Sequence, residues 1–279
     1  MKVSLVYALA TLLYIISPIV VPCQAQEFNL SNFKKTAVPV KESKEIYRLN
    51  NLSNQDFVVS LSNGKLHITR SVYSPAVTYA LPEGKLIGID QGEFCGALFY
   101  KPRDSTIKHI YVNGHMVNAI TKEDKYPIGI SVKPDDVLNE MVRNAFRVKY
   151  GFFRQIFNYR DSLYEMEGLS GSLNNGAINN LQVKNDSVKI SMQVKFDDEA
   201  PGVLATNNDV IYLTTLNGFY RIRNWHKELI LDKLFWRMLY PTSVAVKDNR
   251  HIYVGIRTGY AMINAKDKKI TYYQYQGRL

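Results

Sequence analysis

Two stretches near the C-terminus are near copies of each other, with Ile211 and Ile252 standing 41 positions apart. The first runs Asn208-Asp209-Val210-Ile211-Tyr212-Leu213-Thr214-Thr215-Leu216-Asn217-Gly218-Phe219-Tyr220-Arg221-Ile222. The second runs Asn249-Arg250-His251-Ile252-Tyr253-Val254-Gly255-Ile256-Arg257-Thr258-Gly259-Tyr260-Ala261-Met262-Ile263. Tyr212 matches Tyr253, Gly218 matches Gly259, and Ile222 matches Ile263. A strand–turn–strand unit cannot bury its apolar faces alone, so a period of this length calls for neighbouring copies packed together. The duplication speaks to architecture. No motif of comparable quality speaks to chemistry.

Strand signals continue upstream. Phe57 to Ile68 matches the duplicated template, with Asn63-Gly64 at the place of Asn217-Gly218. Leu86 to Ile89 and Phe94 to Tyr100 form a second strand pair around Gln91-Gly92. Asn113-Gly114 separates two alternating apolar runs, Ile110 to Val112 and His115 to Val117. That pattern predicts a two-residue type I′ hairpin, because both turn residues need φ > 0. Val188 to Phe196 carries apolar residues on even positions, which predicts a half-buried strand with one wet face. One region is helical in spacing. Pro134-Asp135-Asp136 precedes Val137, Leu138, Met141, Val142, Ala145 and Phe146, and predicts a helix of about three turns in a connection. Arg147 to Tyr164 is expected to return to strand.

The first residues read as a targeting segment. Lys2 is followed by an uncharged run from Val3 to Val21, and Cys23-Gln24-Ala25 puts small residues at the −3 and −1 positions of a cleavage site. Residues 1–25 are therefore expected to be a secretory signal peptide, with an uncleaved membrane anchor or lipidation at Cys23 as alternatives. The exported chain would be 26–279, in the periplasm or outside the cell. After cleavage only Cys95 remains, which rules out an intrachain disulfide; in its apolar run the thiol is expected to be buried and inert. Loss of Lys2 takes the formal charge from +10 to +9. For an exported chain that excess suits an anionic envelope component, a polyanionic glycan or an acidic protein better than nucleic acid. Asn29-Leu30-Ser31, Asn51-Leu52-Ser53 and Asn185-Asp186-Ser187 fit the glycosylation pattern where the source has that machinery.

The phrase Ile252-Tyr253-Val254-Gly255-Ile256-Arg257, followed by Gly259 and Ile263-Asn264, resembles β-propeller families of the YVTN or quinoprotein-like kind. The likeness is clear over about residues 206–279 and weaker elsewhere. It implies an all-β fold, a propeller of six to seven blades with a short helix in one inter-blade connection. Residues 26–44 would be a lead-in segment and 45–279 a single propeller domain. The strand Ile270 to Tyr275 would then close the ring by pairing with the opposite end of the chain. The high count of tyrosines, 19 against 2 tryptophans, suits half-exposed pleated surfaces. The chain has no Trp-Asp dipeptide and no tryptophan-docking repeat, so no quinone cofactor is implied and none of any kind is expected.

Candidate chemical groups are sparse. His109 and His115 would point to opposite faces of their hairpin, which argues against a shared metal. Asp197-Asp198-Glu199 lacks the alternate spacing of a calcium loop and reads as a solvated turn. Glu165 and Glu167 flank Met166 and project from one strand face, either as a carboxylate pair for glycoside chemistry or as an exposed rim. Gly168 to Gly176 is rich in Gly, Ser and Asn with no lysine placed for phosphate, and reads as an inter-strand loop. The strongest surface candidate interleaves cations with aromatics: Arg147, Lys149, Tyr150, Phe153, Arg154 and Arg160, among Arg143, Phe146, Phe152, Phe157 and Tyr159. The opposing reading puts those aromatics in the core and the cations on the wet face. Lys266, Lys268 and Lys269 read as a turn between the last two strands.

Together these features predict an exported, monomeric, non-catalytic binding propeller for a protein partner or an anionic envelope component. The alternative is a propeller hydrolase or lyase acting on a glycan or lactone, with or without a metal, and with Glu165, Glu167, Asp197, Asp198 and His251 as first suspects. A second alternative is an inhibitor or immunity-type protein.

Overall fold

The two duplicated stretches fold as matching hairpins in neighbouring sheets. The computed structural model describes residues 26–52, 55–71, 74, 76–90, 96–120, 136–169, 174–184 and 187–277. The signal and anchor alternatives (1–25), Cys95, Gln91-Gly92, Pro134-Asp135, Ser170 to Leu173, and the sequon residues Ser53, Asn185 and Asp186 lie outside them. In chain order come β1 (Phe33–Thr36), α1 (Lys44–Leu52), β2 and β3 (Phe57–Ser62, Lys65–Arg70), and β4 to β6 (Ala76–Leu81, Gly84–Asp90, Gly96–Pro102). Next are β7 and β8 (His109–Val112, His115–Asn118), α2 (Asp136–Val142), β9 (Phe146–Tyr150), and β10 to β13 (Phe153–Tyr159, Ser162–Leu169, Asn175–Lys184, Ser187–Phe196). The chain ends with β14 to β17 (Pro201–Asn207, Val210–Thr215, Phe219–Arg223, His226–Leu231) and β18 to β21 (Ser243–Asp248, His251–Ile256, Gly259–Asn264, Lys269–Tyr275). Among the described residues, no helix is long and apolar enough to cross a membrane.

The fold is all-β, in five sheets of antiparallel neighbours but for one parallel pairing, β7 with β13. In the duplicated hairpins Ile211 pairs with Ile222 and Ile252 with Ile263, and Tyr212 and Tyr253 stand on the second strand of their sheets. Gly218 and Gly259 occupy the same place, just after a two-residue turn, at Leu216-Asn217 and Arg257-Thr258. Phe57 to Ile68 departs from that template. Asn63 and Gly64 are themselves the turn, at φ 51° and 71°, and β2 is the strand that packs on β18, so β2–β3 is a different hairpin. Asn113-Gly114 makes the expected primed turn, at φ 49° and 83°.

Each core is sealed between successive sheets. Ile68 and Phe57 meet Tyr260 and Ala245 in one core. Ile252 and Val254 meet Tyr212 and Phe219 in the next, with α1 and Trp236 capping it. Ile211 and Leu213 meet Met166, Ile178 and Phe196 in a third. Leu181 and Val188 meet Leu86, Leu98 and Phe146 in a fourth. The far face of β5 and β6 is covered by Leu138 and Val142 of α2, a helix of two turns within the described residues. Among the described residues no core cluster joins β2–β3 to β4–β6. The first strands of neighbouring sheets are also bridged by polar side chains. Val59 N donates to Ser243 Oγ (2.8 Å), Asn207 Nδ2 to Val246 O (3.4 Å), and the Gln155 amide exchanges bonds with Leu204 N and O (3.3 and 3.4 Å). β1 supplies the outer strand beside β21, with Phe33 opposite Tyr275 and Thr36 opposite Tyr272.

Strand β13 corrects one expectation. Its apolar even positions do not share a face, because a bulge between Ile178 and Asn179 of its partner leaves Gln193 unpaired. The extra residue flips the parity. Val188 faces the β4–β6 side, Val194 and Phe196 face the β14–β17 side, and Met192 between them is exposed. A period-2 pattern with one hidden bulge thus serves two cores in turn.

Gly88 shows how tightly the sheets approach. A Cβ there would run into the ring of buried Phe153. Gly88→Ala is expected to cost about 1–3 kcal/mol through overpacking, read from the urea midpoint. Gly88→Ala in a Phe153→Leu background should recover part of that loss, and equal losses in both backgrounds would refute the contact.

Candidate functional site

Strand parity places the two glutamates. Leu163 faces the β4–β6 side of its sheet, so Glu165 and Glu167 on the same strand face that way too. Across from them runs β9, and its Lys149 ammonium reaches both: 2.9 Å to Glu165 Oε1 and 2.6 Å to Glu167 Oε2. Asn179, directly opposite Glu165 on β12, donates its amide to the same Oε1 at 2.6 Å. Gly151 (φ 156°) carries the chain from β9 into β10, and a Cβ on it would lie 3.5 Å from Glu167 Oε2. A Cβ on Gly96 would press on Gly151 O at 2.5 Å. Gly96 thus lets β6 close against the turn at Gly151, where a positive φ favours glycine.

Glu165 is 1% exposed, against 25% for the Lys149 side chain and 24% for Glu167. Burial pushes the Glu165 carboxyl up, and the Lys149 charge and hydrogen bonds only partly counter it. Burial alone would lower Lys149, but the attraction and hydrogen bonds of the two carboxylates outweigh it and hold the ammonium above its usual range. Lys149 is thus kept charged, unsuited to act as base or nucleophile. The cleft beside the cluster, lined by Ala97, Leu98 and Phe153, has a volume of about 10 Å³, room for one water. A sugar needs a pocket of several hundred Å³.

The cluster is therefore an ion clamp between two sheets. The sequence reading of Glu165 and Glu167 as one-faced residues is met, but Glu165 is not on an exposed rim. The sequence carries no local signal for the clamp, because Lys149 lies 16 and 18 positions from the two glutamates, on a strand of another sheet.

The basic and aromatic residues separate. Phe153 is core, as are Phe146, Phe157 and Tyr159. Arg154 bonds Asp90 Oδ2 and Gly168 O, both at 2.9 Å, and so pins β10 to β5. Arg160 pairs with Asp209 at 3.0 Å and lies over the Tyr159 ring. Arg147 is half-buried on β9, and Tyr150 is paired with Ala97 through its backbone. The other enzyme suspects meet different partners: Asp197 binds Lys195 at 2.6 Å, His251 binds Asp248 at 2.9 Å, and Asp198 stands exposed in a turn. Among the described residues, no three His, Cys, Asp or Glu side chains gather as a metal site. A separate hollow of about 490 Å³ between β1, α1 and β21, lined by Val38, Pro39, Val40 and Tyr272, is large enough for a small molecule. Its one carboxylate, Glu45, is held by Arg48.

No protein-family model matches the chain, and no curated protein matches it. Several solved structures are similar at low level, two of them as follows. A puromycin hydrolase is 9% identical, with a TM-score of 0.35 over 85% of this chain and 49% of that one. An uncharacterized protein from Listeria monocytogenes EGD-e is 10% identical, with a TM-score of 0.31 over 88% and 96%. The chain spans about half the length of the puromycin hydrolase. Likenesses this weak carry nothing about activity. The class defined by the chain's own geometry is an all-β protein of successive, face-packed antiparallel sheets.

Proposed function

We propose that the sheets are the blades of a β-propeller and that the chain is an exported binding protein for a protein partner or an anionic envelope component. Three features support the propeller: equivalent hairpins in adjoining sheets, polar bridges from first strand to first strand, and the pairing of β1 with β21. The five described sheets are blades in this reading. Six to seven blades would need a further sheet between β2–β3 and β4–β6, where among the described residues no shared core joins the two.

The observation that carries binding over catalysis is the Lys149 clamp. Two carboxylates that could serve glycoside chemistry are both tied to one ammonium beside a cleft the size of a water. Residues 26–279 used as bait on a native envelope fraction should retain a discrete component, with and without chelator. Turnover of a glycan or lactone panel that disappears in Glu165→Gln/Glu167→Gln would contradict this reading.

A further inference from the structure

The hairpin ends of the duplicated sheets lie together. Ala265 N and Lys266 N both donate to Asn249 O, at 2.8 and 3.3 Å, locking the β20–β21 turn against the β18–β19 turn. The Tyr212 hydroxyl donates to Asn249 Oδ1, joining that turn to the neighbouring sheet. Arg223 closes the β16–β17 hairpin opposite His226, at the end of that sheet where Asn207 meets Val246 of the next. Arg223, Lys247, Arg250, Lys266, Lys268 and Lys269 therefore stand at one end of two sheets, and all six are exposed. Four carboxylates lie nearby, two of them (Asp248 and Asp267) on these same turns; the six cations outnumber them, and each carboxylate has a partner of its own. Asp248 accepts from Arg250 N, His251 N and the His251 ring, Asp267 from the Asn264 amide, Asp209 from Arg160, and Glu228 from Arg221.

We propose that this end binds an acidic polysaccharide, laid across the β16–β17, β18–β19 and β20–β21 turns. The proposal rests on the binding reading above and deepens it to one face and one ligand class. Among the described residues, none of the exposed large apolar side chains lies on these turns, so the face lacks the dry anchor of a protein interface. Four of the six cations are lysines, point charges without the planar fork that reads bases or phosphates bidentately. Trp225, the aromatic of these turns, is packed on Tyr159 and Tyr164 at 5.2 and 4.8 Å, leaving it committed to the protein and not to base stacking. Neighbouring strands stand about 4.8 Å apart, so alternate turns present charges roughly 10 Å apart, a spacing a flexible chain of charged sugars can follow.

The test is titration of residues 26–279 with heparin and with polygalacturonate across rising salt. Binding should weaken steeply with salt. Arg250→Glu/Lys266→Glu/Lys268→Glu, folded by circular dichroism, should lose about tenfold or more in affinity at low salt. The neutral variant Lys266→Gln/Lys268→Gln should lose less. Lys44→Glu/Lys108→Glu/Lys233→Glu, with the same change in net charge, should bind as the parent does. Equal loss in that control, no binding to either polymer at low salt, or tighter binding to double-stranded DNA would each overturn the proposal. An envelope component retained equally by the parent and the Arg250/Lys266/Lys268 variant would preserve the binding role while overturning this face.

Discussion

Replacing Phe33 with alanine should destabilise the protein by about 3–5 kcal/mol, the cost of removing a buried phenyl ring and leaving its cavity. Phe33 lies on β1, a strand of four residues, and its ring is 6% exposed. It touches Phe57 at 5.3 Å, Tyr260 at 5.4 Å and Tyr275 at 5.2 Å between ring centroids, so it joins β2, β20 and β21 at once. β1 has few backbone bonds to offer, and its hold on β21 depends on this side chain. Hydrogen exchange should therefore rise across β21 as well as β1. Phe33→Leu, which keeps most of the volume, should lose under about 2 kcal/mol. A loss below about 1 kcal/mol for the alanine variant would show that β1 is incidental to the fold.

Lys149→Met should cost about 3 kcal/mol at neutral pH, the low end for breaking a buried pair because a quarter of Lys149 reaches solvent. The cost should depend on pH in a defined direction. Glu165 is held above its usual 4.5 by burial, so its folded state keeps the proton longer than the unfolded chain does. Stability from that proton is complete below 4.5 and falls as pH rises through the folded value. Lys149 is held above its usual 10.5, so its contribution is complete below 10.5 and falls as pH rises through its own folded value. Removing the ammonium takes away the main influence that lowers Glu165, and the carboxyl climbs further. Lys149→Met should thus lose most at pH 7 and clearly less near pH 4, where Glu165 is protonated in either state. Lys149→Met/Glu165→Gln should recover part of the loss at pH 7. Denaturant midpoints at the two pH values decide it. The same loss at both would mean that Lys149 contributes packing alone.

Much of the architecture was legible because local rules carried it. The duplicated apolar pattern around Ile211 and Ile252 reports a hairpin in fixed register, and Asn113-Gly114 reports its turn through a backbone requirement. What escaped depended on residues far apart in sequence. Asn63-Gly64 resembles Asn217-Gly218 in sequence, yet Asn63 and Gly64 are both turn residues while Gly218 follows its turn, because a dipeptide marks a turn without fixing its register. The flat alternation of Val188 to Phe196 concealed the bulge that sends its two halves into different cores. At the site, the shared face of Glu165 and Glu167 followed from a period of two. Their clamp did not, because β9 joins β6 across an intervening hairpin and helix and faces β11 only once the two sheets pack. Arg154 is similar: it read as a surface cation and is spent on Asp90, whose strand lies 64 residues away.

Pairing of β1 with β21 brings distant parts of the chain side by side, and a cross-link reads it directly. Lys34 stands opposite Gln274 in the β1–β21 register. Lys34→Cys/Gln274→Cys, with Cys95 replaced by serine, should close an intramolecular disulfide under mild oxidation. It should also raise the unfolding midpoint by an amount equivalent to about 2–4 kcal/mol. Failure to cross-link, or a bond that forms only between molecules, would contradict the pairing of β1 with β21 and with it the proposed propeller.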